Sequence, residues 1–308
     1  MVEKLISALL PVMVTLLIGY YAGIRKDFSN TQAENINKIV MNYTLPMSLF
    51  GGILANSRSE IFKNFNVALW VFGAMIGGYF LVLIIARFIL QENISIAVLR
   101  SLAIASPAIP FVGPTVLGSL FPSESSLLIA IGGIVVNVFQ VPISVILLTS
   151  SSKKENVSIF QNLVTAFKKP VVWAPILAFI LTLLGIKISP SWEKSFTTLG
   201  SATGGLALFS SGIMLFSRRF DFELPVIIDT FFRNIFFPAV MFAIMFLFKA
   251  DRSTMNMSLV VLGIPAGSIT TILASQYHIL EGEMSSTLFL STVFSMFSLG
   301  AIIIMCNI

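Results

Sequence analysis

The chain has 308 residues, 56% of them hydrophobic and 11% charged, with a net charge of +5 and a mean hydropathy of +0.94. A water-soluble domain carries about 25% charged residues, so lipid is the main solvent here. The cations sit in short connections between apolar segments, the pattern of membrane orientation, which excludes a nucleic-acid-binding face. One cysteine, Cys306, excludes an intrachain disulfide, and one histidine, His278, excludes a multi-histidine metal centre.

Ten apolar segments follow in chain order: 5–24, 37–55, 67–90, 98–121, 126–149, 170–187, 195–217, 224–248, 257–277 and 285–307. Each is close to the roughly 20 residues a helix needs to cross a bilayer. The first has only Met1 to Lys4 before it and a poor peptidase site in Gly19-Tyr20-Tyr21-Ala22, so it reads as a retained span. The fourth is interrupted by SPAIPFVGPT (Ser106 to Thr115) and the ninth by GIPAGSITT (Gly263 to Thr271). Proline removes a backbone donor and frees a carbonyl, which lipid cannot satisfy. Such breaks are either kinks satisfied by neighbouring helices or unwound backbone lining a cavity. Matching breaks in two halves of a chain are the sequence pointer to a transporter site.

The longest polar connection, 150–169, divides the chain into 1–149, a cytoplasmic linker and 170–308, all within one membrane domain. Pro11 and Pro175, Leu49 and Leu208, and Pro107 and Pro265 recur at nearly constant spacing. The expected fold is therefore all-α: ten transmembrane helices in a five-plus-five repeat, with broken helices four and nine crossing. An odd number of spans per half inverts one half relative to the other. Connections after odd-numbered spans carry the larger share of cations, among them Arg25, Lys26, Arg87, Arg100, Lys168 and Arg218. The positive-inside rule then puts those connections in the cytoplasm and both termini outside, in the cell membrane. The connection after the ninth span runs against this, with Glu281 and Glu283 and no cation.

If the breaks cross near the midplane, half-helix amino ends would present free N–H groups and partial positive charge to an anion. Pro107, Pro110 and Gly113, with Pro114, would shape the first crossing, and Pro265 and Gly267 the second. Ser106, Thr115, Ser268, Thr270 and Thr271 add hydroxyls. Asp229 and Arg233 are four residues apart in span eight, on one helix face. Either Arg233 compensates a substrate carboxylate while Asp229 positions it or takes a coupling proton, or the two form an internal ion pair. Asn42 and Asn137 lie at midplane depth, where an amide bridges helices or meets a ligand; Gln140 and Asn234 read as helix bridges. His278 reads as a solvated interface residue. No phosphate-binding loop, metal motif or nucleophile–base set occurs, so neither an ATP-driven pump nor an enzyme is expected, and no cofactor.

Asn-Tyr-Thr-Leu-Pro (42–46), the two breaks, and Gly-Ile-Pro-Ala-Gly-Ser (263–268) followed by Ala-Ser-Gln-Tyr (274–277) resemble the auxin efflux carrier family. The family includes bacterial malate or malonate permeases and the PIN-type auxin exporters, and the resemblance covers essentially the whole chain. It implies a fold similar to bile-acid symporters and sodium/proton antiporters. Spans one, two, six and seven would form a scaffold, and the other six a transport domain. It also implies an organic anion as substrate, from dicarboxylates to indole-acetate, and a homodimer. Pro110 and Pro265 match the family's crossover prolines, and Asn42, Asn137 and the crossover serines fall where its substrate pocket lies. The short connection at 150–169 departs from the long cytoplasmic loop of many plant members. The expectation is a secondary transporter or uniporter for a small organic anion working by alternating access, with proton or sodium coupling left open. The rival expectations are a sodium-coupled bile-acid-type symporter and a non-transporting membrane receptor.

Overall fold

The computed structural model describes residues 2–55, 65–151, 164, 168, 170–186, 188–217 and 223–307. Of the connection at 150–169, only residues 150, 151, 164 and 168 are included, so its role as a linker lies outside the described residues.

The described residues are helical, with one isolated antiparallel bridge. In chain order the helices are α1 (Val2–Ile24), α2 (Asn30–Ile39), α3 (Leu45–Leu54), α4 (Phe65–Ile84), α5 (Ile94–Ala105), α6 (Ile109–Leu120), α7 (Ser125–Ile134) and α8 (Val141–Ser151). The second part comprises α9 (Pro170–Leu183), α10 (Pro190–Gly200), α11 (Ala202–Ser217), α12 (Leu224–Phe231), α13 (Phe237–Leu247), α14 (Arg252–Gly263), α15 (Ile269–Tyr277) and α16 (Glu281–Cys306). π-helical turns at Val40–Thr44, Val135–Gln140 and Phe232–Phe236 join α2 to α3, α7 to α8 and α12 to α13 into longer rods. The apolar segments expected from the sequence are helical where described, and the fourth and ninth are each divided between two helices. Among the described residues, four runs are long and apolar enough to cross a bilayer: Phe65–Ile89, Lys194–Ser217, Leu224–Leu247 and Glu281–Cys306.

The helix starts follow local chemistry. Ser29 and Gln32 form a capping box before α2, and the side chains of Asn93 and Asp251 accept backbone N–H bonds at the starts of α5 and α14. The outer surface of the rods is apolar: Leu81, Phe88, Phe246 and Leu247 are all exposed. In water so much exposed apolar surface would drive association; in a bilayer it faces acyl chains.

The interior is built around α5, α6, α14 and α15, with Val98, Leu99, Leu102, Ile109, Leu259 and Val260 fully buried. Small residues let the surrounding rods approach closely. A Cβ at Gly212 of α11 would lie 2.1 Å from the Leu16 carbonyl oxygen of α1, and one at Gly19 of α1 would lie 2.1 Å from that of Phe209. The two helices therefore cross backbone to backbone, as small-residue membrane interfaces do. Gly200 makes the same close approach to Ser48 of α3. Gly204 and Gly205 line a cavity that Gly200 also borders, and a Cβ at Gly205 would meet nothing within 4 Å.

Candidate functional site

Both interruptions expected from the sequence are present, and they meet. Ser106 and Ile264 each precede a proline and take extended backbone torsions that end α5 and α14. The ends then pair as a short antiparallel bridge between Pro107 and Ala266. The Ala108 N–H donates to the Pro265 carbonyl at 2.8 Å, and the Gly267 N–H donates to the Ser106 carbonyl at 2.9 Å. The first break is shorter than its motif, because helix resumes at Ile109. Pro110 falls in the first turn of α6, where a missing N–H costs nothing. At Gly267 a Cβ would come within 3.0 Å of the Ser106 carbonyl oxygen, so a larger residue would crowd the bridge.

Because the bridge is antiparallel, α6 and α15 leave it in opposite directions, each with its amino end at the crossing. Neither amino end has a side-chain cap: Ala108 cannot supply one, and the Ser268 side chain makes no capping bond. The incoming helices α5 and α14 bring their carboxyl ends to the same point. Their carbonyls are largely accounted for, as buried polar groups must be. The Gln140 amide nitrogen donates to the carbonyls of Ala105 at 3.2 Å and Met75 at 2.9 Å, while its oxygen accepts from the Ser106 hydroxyl at 2.5 Å. Arg233, fully buried on the rod α12–α13, donates from Nη1 to the Ile104 carbonyl at 2.9 Å, and from Nη2 to those of Leu262, at 2.9 Å, and Ile264. The Ala266 N–H is taken by the Ser291 hydroxyl of α16, which itself donates to Asn234.

Two cavities flank the crossing. One, of about 460 Å³, is lined by Pro114 and Thr115 of α6, Thr15 of α1, Ser48 of α3, and Thr203 and Gly204 of α11. The other, of about 490 Å³, is lined by Ile269, Ile272 and Gln276 of α15, by Glu34 and Lys38 of α2, and by Asn42. They sit at opposite ends of the same rods: Ser48 and Asn42 on α2–α3, and Thr203 and Met214 on α11. Among the described residues the first is lined by no charged side chain; the second holds Glu34, Lys38 and the exposed His278.

The residues singled out from the sequence separate into groups. Pro107, Pro265 and Gly267 build the bridge. Ser106 is buried and committed to Gln140. Gly113 is packed against Ile129 and Ile109. Ser268 and Thr270 are buried with hydroxyls that have no hydrogen-bond partner, whereas Thr271 donates to the Ser268 carbonyl. Asn42 opens onto the charged cavity, and Asn137 lies in the π-helical turn Val135–Gln140. The side chains of Asn137 and Pro110 are outside the described part of the structure.

Asp229 and Arg233 do not pair with each other. Asp229 accepts from Arg100 Nη1 at 2.7 Å, and among the described residues no carboxylate pairs with Arg233. Arg100 is not the free loop cation that charge counting makes it. It lies within α5 and holds three carboxylates: Glu92 at 2.8 Å, Asp229 at 2.7 Å and Glu283 at 2.9 Å. The connection after span nine, which has no cation of its own, borrows one from α5. This cluster escaped the sequence reading because its members lie far apart in the chain. The only local signal was an arginine within a predicted span. Gln140 and Asn234 bridge helices as expected, and exposed His278 pairs with Glu281 at 2.9 Å.

Comparison with known proteins gives the same class. The family described as "Membrane transport protein" matches residues 4–303. The uncharacterized transporter YfdV of Escherichia coli K12 is 31% identical over 300 residues, covering 95% of each chain. The uncharacterized transporter MJ1031 of Methanocaldococcus jannaschii is 25% identical over 301 residues, covering 94% of this chain and 95% of its own.

Proposed function

The chain belongs to the auxin efflux carrier family of membrane transport proteins, and from that premise we propose that it is a secondary transporter or uniporter for small organic anions. The substrates are mono- or dicarboxylates such as malate, malonate or auxin-like acids, and the mechanism is alternating access. The observation that carries this reading is the paired interruption: two uncapped helix amino ends meeting at one bridge, with a cavity on either side.

The electrostatics favour an anion. Each amino end carries partial positive charge of about half a unit. The opposing carboxyl ends are neutralised by Gln140 and Arg233, so their negative charge does not cancel it. Ser268 and Thr270 supply hydroxyls with free hydrogen-bonding capacity beside α15. In this reading a carboxylate would move inward from either cavity to donors the fold already holds in place, so little ordering is needed on binding. Alternating access follows if the crossing moves between two positions against α1, α3 and α11, opening one cavity while closing the other. In this reading the chain is ten transmembrane helices in two inverted repeats, in the cell membrane, with both termini outside.

Uptake of labelled malate, malonate and indole-acetate into proteoliposomes, with and without imposed sodium and pH gradients, is the test. The expected result is saturable flux of at least one of these anions. Tight binding without counterflow would instead identify a receptor, and strict dependence on sodium would identify a sodium-coupled symporter.

A further inference from the structure

A helix leaves its last four carbonyls without internal partners, and a cation is favoured there. At the crossing two such ends converge, and the protein places a single guanidinium between them. Arg233 takes one carbonyl from the last turn of α5 (Ile104) and two from the end of α14 (Leu262 and Ile264). Its guanidinium carbon lies 5.7 Å from the centre of the Phe237 ring, a cation–π contact on its own rod. No water-exposed surface remains on Arg233, and its Nε has no partner. A charge buried this deeply is normally held by a carboxylate, yet the nearest one along its helix, Asp229, is engaged by Arg100. The counter-charge of Arg233 is therefore the carbonyl cluster itself.

We propose that the carbonyls of Ile104, Leu262 and Ile264 form a cation site whose resident occupant is the protein's own Arg233 guanidinium. Vacating the site by Arg233→Ala should leave a carbonyl-lined space that takes a small cation from solution, guanidinium best because it reproduces the planar fork. In the intact chain the site is filled, so no alkali cation is needed to hold the crossed helices together. The inference rests on this geometry and not on the transport reading.

The test is thermal unfolding of the purified protein in detergent, followed by tryptophan fluorescence, in low concentrations of guanidinium, sodium or choline chloride at matched ionic strength. Arg233→Ala should lower the midpoint by about 10 °C, the scale of an uncompensated buried polar cluster. Guanidinium should restore about half of that loss and choline none, while the unsubstituted protein should gain nothing from guanidinium. Rescue by choline equal to that by guanidinium, or no rescue at all, would overturn the proposal. If Arg233→Ala does not fold, Arg233→Lys and Arg233→Met decide. Lysine keeps the charge and methionine roughly the length, so Lys should lie clearly above Met in midpoint. Equal behaviour, including failure of both to fold, would count against the site. An absence of anion flux in vesicles leaves these outcomes unchanged, so failure here and failure of the transport reading are separable.

Discussion

The two interrupted helices reach the same bridge in different chemical states. At the first, α5–α6, the hydroxyl of Ser106 is used: it donates to Gln140, which in turn holds the α5 end and α4 together. At the second, α14–α15, Ser268 and Thr270 are buried with idle hydroxyls. A buried hydroxyl without a partner costs about 1–3 kcal/mol, a cost that persists where a ligand completes the bond. The first break is thus satisfied within the protein, whereas the second keeps unpaired hydroxyls, which the proposed anion site would use; that is the proposed division of labour. Similar motifs do not imply equal roles.

The difference should show most strongly in stability. The entry helix of the first break is clamped by Arg100, so Arg100→Met should strand three carboxylates and lower stability by about 3–5 kcal/mol. Denaturant or thermal unfolding in detergent reads this, and a change below 1 kcal/mol would mean that the clamp does not matter. Gln140→Ala comes next, at about 2–4 kcal/mol, because it leaves buried carbonyls at Ala105 and Met75 and a buried hydroxyl at Ser106.

At the second break the pattern reverses. Thr270→Val with Ser268→Ala should leave the unfolding midpoint unchanged or slightly raised, since it removes unpaired polar atoms. The same pair should weaken apparent affinity for the transported anion about tenfold, the worth of roughly one hydrogen bond to a charged group. Loss of stability with unchanged affinity would erase the proposed division of labour.

The smallest effect concerns the caps. α5 starts on Asn93, which does not titrate, and α14 starts on Asp251, which does. Bonds from the Thr254 side chain and backbone N–H hold the Asp251 carboxyl below the usual carboxylate range. A lowered folded-state value means that the cap stabilises fully above the ordinary carboxylate range and is lost as pH falls through the folded value. Acid should therefore loosen the start of α14 before that of α5, read by amide exchange, and Asp251→Asn should remove the difference.

The broken helices were legible in the sequence because proline acts locally, on its own φ and on the preceding residue, although Pro11, Pro114 and Pro175 sit inside continuous helices. Helix bridging by Gln140 and Asn234 was legible for a similar reason, since an amide in an apolar span has few other options. What the sequence could not display was pairing across distance. Arg100 and Asp229 are 129 residues apart in the chain, and spacing along one helix points to Asp229–Arg233 instead, a pairing the structure does not contain. The role of Arg233 was hidden because its partners are backbone carbonyls, which every residue carries. The glycines of span seven looked alike in sequence, yet a Cβ at Gly200 or Gly212 would strike neighbouring backbone while one at Gly205 would meet open space.

The meeting of the two breaks is best tested by cross-linking within the membrane. Opposed residues of an antiparallel bridge have Cα atoms about 4.5–5.5 Å apart, within disulfide range. With Cys306→Ser to remove the native thiol, Pro107→Cys with Ala266→Cys should form a disulfide under a membrane-permeant oxidant, seen by mass spectrometry of the digested chain. A bond between positions 107 and 266 is the predicted result. Two free thiols after oxidation, in protein that remains folded, would contradict the crossing on which the site depends.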